Sequence, residues 1–316
     1  RSALSTTRDP TVRLEPRLKL FEATMAGSLE GVLDWALQLP ILASLVLCAA
    51  LIPLEKNGGR LWMTECLGTI AMIALTFSPG KWFGVAGSIL PPPPGWPSSL
   101  VPFDWVLHWF GVVIADYSFG GPMVNPGVAM TMYSLDKIDY ATFLIVIAGQ
   151  LAGGVIGFPL LQWLARQLGW TPLGGPQIPP SYAGPQLWKA AEHEFMAMLF
   201  LCFLVFAVNW EPSYTQKAHR HFYWVKQSLT AFGIRLLIIY LGAAGPAINP
   251  MLASCWVVSE TGAWPDFANH YVVYWAAPWA AAIAAGLMYA MYKGESQTFF
   301  GKSVQGWLRG DKLKIQ

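Results

Sequence analysis

Gly121-Pro122-Met123-Val124-Asn125-Pro126-Gly127-Val128-Ala129 and Gly245-Pro246-Ala247-Ile248-Asn249-Pro250-Met251-Leu252-Ala253 are one pattern written twice. Gly, Pro, Asn, Pro and the closing Ala coincide in register, and Val is matched by Ile. Each copy sets Asn-Pro inside an apolar run, where proline removes a backbone donor and breaks a helix, a costly event in lipid. Asn is a preferred N-cap and Pro suits the first helical position, so each Asn-Pro predicts the start of a short helix. A half-helix that starts within a bilayer aims its positive end and its free N–H groups at the midplane.

Composition supports a bilayer. Hydrophobic residues make up 54% of the 316-residue chain and Asp, Glu, Lys and Arg only 12%, about half the charge usual for soluble domains. Mean hydropathy is +0.42, which predicts a polytopic membrane protein. A net charge of +2 gives no footprint for nucleic acid. Cys48, Cys66, Cys202 and Cys255 sit in apolar segments without metal-ligand spacing and read as small packing residues. No Ser/His/Asp set, HExxH or Walker loop is present, so the chain reads as neither an enzyme nor a cofactor or metal binder.

The doubled Asn-Pro pattern resembles the signature of the aquaporins, the major intrinsic protein family, whose mark is a pair of Asn-Pro-Ala loops. Ala148-Gly149-Gln150 followed by Gly153 is similar to the family's third helix, and Trp275-Ala276-Ala277-Pro278-Trp279-Ala280-Ala281 to its last. The resemblance runs from about Leu61 to Tyr292. It implies an all-α membrane protein of six transmembrane helices and two re-entrant half-helices in an inverted repeat; one additional N-terminal helix precedes that core here.

Taken in order, residues 1–30 form a polar arm and 31–60 carry the additional hydrophobic helix, Trp35 to Leu54. Residues 61–168 are the first repeat, 169–186 a Pro/Gly-rich inter-repeat loop, 187–293 the second repeat, and 294–316 a basic tail. Spans are expected over Leu61 to Phe77, Val101 to Tyr117, Tyr140 to Leu168, Leu187 to Val208, Phe222 to Leu241 and Tyr271 to Tyr292. The basic residues Lys56, Arg60, Lys137, Lys217, Arg220, Lys226, Lys293, Lys302, Arg309, Lys312 and Lys314 fall on one face, which places the C-terminus inside. The chain begins at Arg1 without an initiator Met. That start admits a processed form, with an organelle membrane as one destination, or a truncated chain.

Glu65 and Glu194 each lie in an apolar span ahead of an Asn-Pro. A carboxyl there is expensive unless it accepts hydrogen bonds or faces a pore. The resemblance implies that both hold the backbone of the Asn-Pro loops. It also implies a pore midplane at Asn125, Pro126, Gly127, Asn249, Pro250 and Met251, with the two Asn amides donating to water. Departures from the family pattern are equally informative. Gly127 and Met251 replace the third-position Ala, and Met251 is expected to narrow the throat. Leu252 stands where most members place a filter Arg. Ungapped counting puts Trp105 and Leu237 at the other filter positions, and a short gap would instead bring in Arg235, the one cation well inside an expected span, which can alternatively pair with a carbonyl or Glu. His108 and His193 read as packed; His219 and His221 offer a titratable gate on the inside loop.

The function implied is passive passage of water or a small uncharged solute, with the lipid bilayer as partner and a homotetramer as the family's common assembly. Two rivals accompany it. One is a non-conducting aquaporin-like subunit of a larger membrane complex, motivated by the lost Arg, Met251 and the aromatic-rich loops. The other is an ion-coupled transporter, which would want more intramembrane carboxyls than Glu65 and Glu194.

Overall fold

A computed structural model describes residues 58–77, 109, 121–169, 171–172, 174–210, 220–241 and 247–293. The additional N-terminal helix, Trp105, His108 and nearly all of the second expected span lie outside these residues, as do His219 and the C-terminal tail.

The first helix, α1, is Gly58–Thr76. A short α2, Pro126–Ser134, follows the first Asn-Pro, and α3 is Tyr140–Leu168. In the second half α4 is Gly184–Val205, continued by a π-helical turn at Phe206–Trp210. Then come α5, Arg220–Tyr240, and α6, Pro250–Thr261, from the second Asn-Pro. A last span begins as α7, Ala268–Tyr271, widens into a π-helical turn at Val272–Ala276 and finishes as α8, Ala277–Lys293. Among the described residues, Tyr140–Gln167, Gly184–Val208 and Ala268–Lys293 are long and apolar enough to cross a membrane.

The helices pair in a way that survives exchange of the halves. In the first half α1 packs on α3, and in the second α4 packs on α8. Each half-helix then seats against the long helix of the opposite half, α2 on α8 and α6 on α3. Small residues permit the tightest of these contacts. Gly149, Gly153 and Gly157 repeat at four-residue spacing along α3, so they share one face. A Cβ at Gly149 would meet the Trp62 carbonyl oxygen at 2.7 Å, and one at Gly153 would meet the Cβ of Thr69 at 2.7 Å. In lipid, where helices gain nothing from leaving water, this close backbone approach supplies much of the association.

Side chains turned away from these seams are large and apolar: Met63, Leu67, Leu160 and Trp163 on the first half, Phe200, Phe232, Ile239 and Met288 on the second. A bilayer makes such a surface favourable rather than an aggregation hazard. The described cysteines Cys66, Cys202 and Cys255 are free and buried.

α3 is terminated at both ends by polar chemistry. Asp139 caps its start by accepting the Thr142 N–H at 2.7 Å, and Gly169, in the left-handed region at φ 66°, closes its end. That hydrogen bond holds the Asp139 carboxyl below its usual range. A depressed folded-state pKa gives stability that is present at neutral pH and fades as the carboxyl protonates. Asp139→Ala is therefore expected to lower the melting temperature modestly at pH 7, with the gap to the parent closing as pH falls into and below the carboxylate range. A gap that stays constant with pH would refute the capping role.

Candidate functional site

Both Asn-Pro motifs begin helices. Asn125 and Asn249 adopt extended backbone (φ −147° and −145°), and their side-chain oxygens accept N–H groups two residues on, from Gly127 at 2.8 Å and Met251 at 3.2 Å. Pro126 and Pro250 occupy the first helical position of α2 and α6, where no donor is missed.

The residues just before the caps are strained. Val124 (φ 48°) and Ile248 (φ 50°) are β-branched residues in the left-handed region, a conformation costing about 1–3 kcal/mol each. A buried carboxyl offsets that cost in each loop. Glu65 accepts the N–H groups of Met123 and Val124 at 2.8 and 3.0 Å, and Gln150 Nε2 donates to it at 3.0 Å. Glu194 accepts those of Ala247 and Ile248 at 2.6 and 2.9 Å. Glu65 is 1% and Glu194 4% exposed. Leaving a buried N–H unpaired costs about 1–3 kcal/mol, so two such bonds per loop outweigh one strained residue.

The strain has a geometric product, which is to turn each loop's carbonyl toward the other loop. Asn125 Nδ2 donates to the Ile248 carbonyl at 2.9 Å, and Asn249 Nδ2 donates to that of Val124 at 2.7 Å. Two half-helices from opposite halves thus meet N-terminus to N-terminus, each cap tied to the other loop. Asn125 is 7% and Asn249 5% exposed.

Behind this junction, α6 is fixed by a buried polar chain. Trp275 Nε1 donates to Ser254 Oγ at 2.8 Å, and that hydroxyl lies 3.0 Å from His270 Nε2. On α2, Thr131 Oγ1 donates to the Gly127 carbonyl at 3.1 Å and lies 3.2 Å from Cys202 Sγ. Trp275, Ser254, His270, Thr131 and Cys202 all lie outside the Asn-Pro pattern, as does the Gln150 amide on Glu65.

Met251 lies in the hydrophobic core that α1, α3 and α6 share. Its side chain is wholly buried among Met72, Ile73, Phe77, Val155 and Phe158, and a Cβ at Gly154 would lie 2.7 Å from its Sδ. Of the filter residues, Leu252 packs on that same cluster, whereas Leu237 packs with the cluster of Met198, Leu201 and Ile248. Leu237 also lines an apolar groove of about 400 Å³ between α4 and α5 with Phe200, Leu204 and Tyr240. Arg235 is half-buried on α5. Trp109, from the otherwise undescribed second span, donates through Nε1 to Ser228 Oγ on α5 at 2.6 Å.

Long apolar helices enclosing two half-helices whose N-termini converge define a helical membrane channel protein. The family model of the major intrinsic proteins matches residues 56–289, and the chain belongs to that family. It is similar in structure to the aquaglyceroporin from Plasmodium falciparum, with a TM-score of 0.54 and 18% sequence identity over 73% of this chain and 95% of that one, a likeness of fold. No curated protein sequence matches at a significant level.

Proposed function

We propose that this chain is a passive channel for water or a small uncharged solute, arranged as six spanning helices and two re-entrant half-helices in an inverted repeat. The observation that carries the reading is the reciprocal pair of Asn amide bonds between the two loops. An amide nitrogen has two hydrogens, and the bond to the opposite carbonyl takes only one. In this reading the second, on each of Asn125 and Asn249, serves a passing water or hydroxyl. Two donors side by side orient that molecule so that its own hydrogens point away from the midplane, which interrupts the chain needed for proton hopping.

The helix ends act on charge. Each N-terminus carries roughly half a positive charge, and two of them converging raise the energy of a cation there. Aquaporin-type pores are themselves the standing example of selection by width, lining groups and half-helix dipoles. The pore midplane comprises Asn125, Pro126, Gly127, Asn249, Pro250 and Met251, with Met251 acting from behind. Leu252, Trp105 and Leu237 supply an apolar outer ring, and Arg235 is the cation that a short register shift would bring into it. The basic C-terminal face lies inside, and a homotetramer is the assembly. The rival reading as a non-conducting subunit finds no support in the family match or the structural likeness.

Stopped-flow shrinkage of proteoliposomes is the test. The parent chain should shrink vesicles faster than empty controls, and Asn125→Ala with Asn249→Ala should lower the rate per folded protein while raising proton leak. Parent vesicles no faster than empty ones would overturn the reading.

A further inference from the structure

We propose that Met198 is a positioning residue for the first half-helix, filling from α4 the room that Gly127 leaves empty. Gly127 is buried at the second position of α2, directly after the cap and its proline. A Cβ placed there would lie 2.7 Å from both Cε and Sδ of Met198 and 3.2 Å from Asn125 Oδ1. The thioether tip therefore occupies the space of the missing methyl group, against the residue whose N–H the Asn125 oxygen holds. Met198 is itself wholly buried, so its tip can yield only by repacking against buried neighbours.

The position of Met198 on its helix gives the contact a second meaning. It lies four residues after Glu194, one turn along the same face of α4. Glu194 grips the second loop through Ala247 and Ile248, while Met198 presses on the first half-helix. One face of α4 thus registers both caps against each other. The same step from Glu65 on α1 leads to Thr69, a small residue that is also fully buried. In that half the bulk is carried by the loop's own Met251, seated over Gly154. Each half-helix has one methionine behind its third-position residue or at it: contributed by the supporting helix for α2, by the half-helix itself for α6. The lost family alanines are consequently a redistribution of volume that leaves both caps at the junction.

The inference rests on the channel reading for its transport arm only, because packing is measured separately. Gly127→Ala, Met198→Val and the double variant are purified in detergent, scored for monodisperse yield and melting temperature, and reconstituted for water flux per folded protein. Val keeps the β- and γ-carbons of Met198 and removes the atoms that the added methyl group of Gly127→Ala would strike. Gly127→Ala alone should lower folded yield and lose about tenfold in flux per folded protein, and adding Met198→Val should bring both back to within about twofold of the parent. Flux per folded protein is the readout that a merely structural contact would leave alone. Silence of Gly127→Ala in both measurements, or a double variant no better than it, overturns the proposal. If parent vesicles do not conduct, the channel reading fails and the yield and melting arms still decide the pairing.

Discussion

Glu194→Ala should leave little folded protein. The substitution removes the acceptor for the Ala247 and Ile248 N–H groups, both buried where water cannot replace it. Two unmade bonds cost about 2–6 kcal/mol, and the strain at Ile248, about 1–3 kcal/mol, loses what offset it. Against a net stability of about 5–15 kcal/mol this is decisive. Glu194→Gln should recover part of the loss, since its amide oxygen can accept one of the two N–H groups while its NH2 faces the other. Glu65→Ala should be damaging for the same reason, with Gln150 also left without its acceptor. Monodisperse yield and melting temperature in detergent read the order parent, Gln, Ala. A Glu194→Ala protein of parental yield and melting temperature would mean the carboxyl is not what holds the loop.

Gly153→Val is expected to have the second large effect. Its Cβ would fall 2.5 Å from the Cys66 carbonyl oxygen and 2.7 Å from the Thr69 Cβ. Backbone and Cβ atoms cannot swing aside as a flexible side-chain end can, so α1 has to move off α3. Overpacking typically costs about 1–3 kcal/mol, more when the neighbour is backbone. The consequence reaches the site, because α1 carries Glu65 and α3 carries Gln150. A shift between them lengthens the bonds that hold Met123 and Val124. The variant should melt well below Asp139→Ala, and Cys66, 4% exposed in the parent, should react faster with a thiol reagent. Unchanged melting together with unchanged thiol reactivity would show that the glycine stripe is not the seam between these helices.

Much of this architecture is legible in the chain because its strongest signals are local. Asn-Pro states a cap and a first helical residue in two letters, and α2 and α6 begin there. The repetition of the motif points to two equivalent halves, and a lone Glu in each of two apolar runs calls for partners. What stays hidden depends on contacts between segments more than a hundred residues apart. No local pattern tells that the Asn125 amide meets the Ile248 carbonyl, although the paired Val and Ile before the two Asn are its visible trace. The left-handed φ at those residues runs against β-branched preference, so propensity argues for the wrong backbone there. Gln150 stands out in the sequence only as part of a run of small residues. Met251 shows its volume there, and volume does not say which way a side chain turns.

The crossed amide bonds also set an order on biogenesis. Asn125 and Ile248 are 123 positions apart, which at synthesis rates of about 5–20 residues per second is a delay of roughly 6–25 s. Throughout that interval the Val124 carbonyl and the Asn125 amide have been made but their mates have not left the ribosome. The first Asn-Pro loop waits through that interval with these polar groups unmet by their partners, and a nascent chain halted before Asn249 has nothing to close it. Quality control should therefore recognise arrested half-chains as unfinished, and co-expressed halves should assemble only when both are delivered to one membrane.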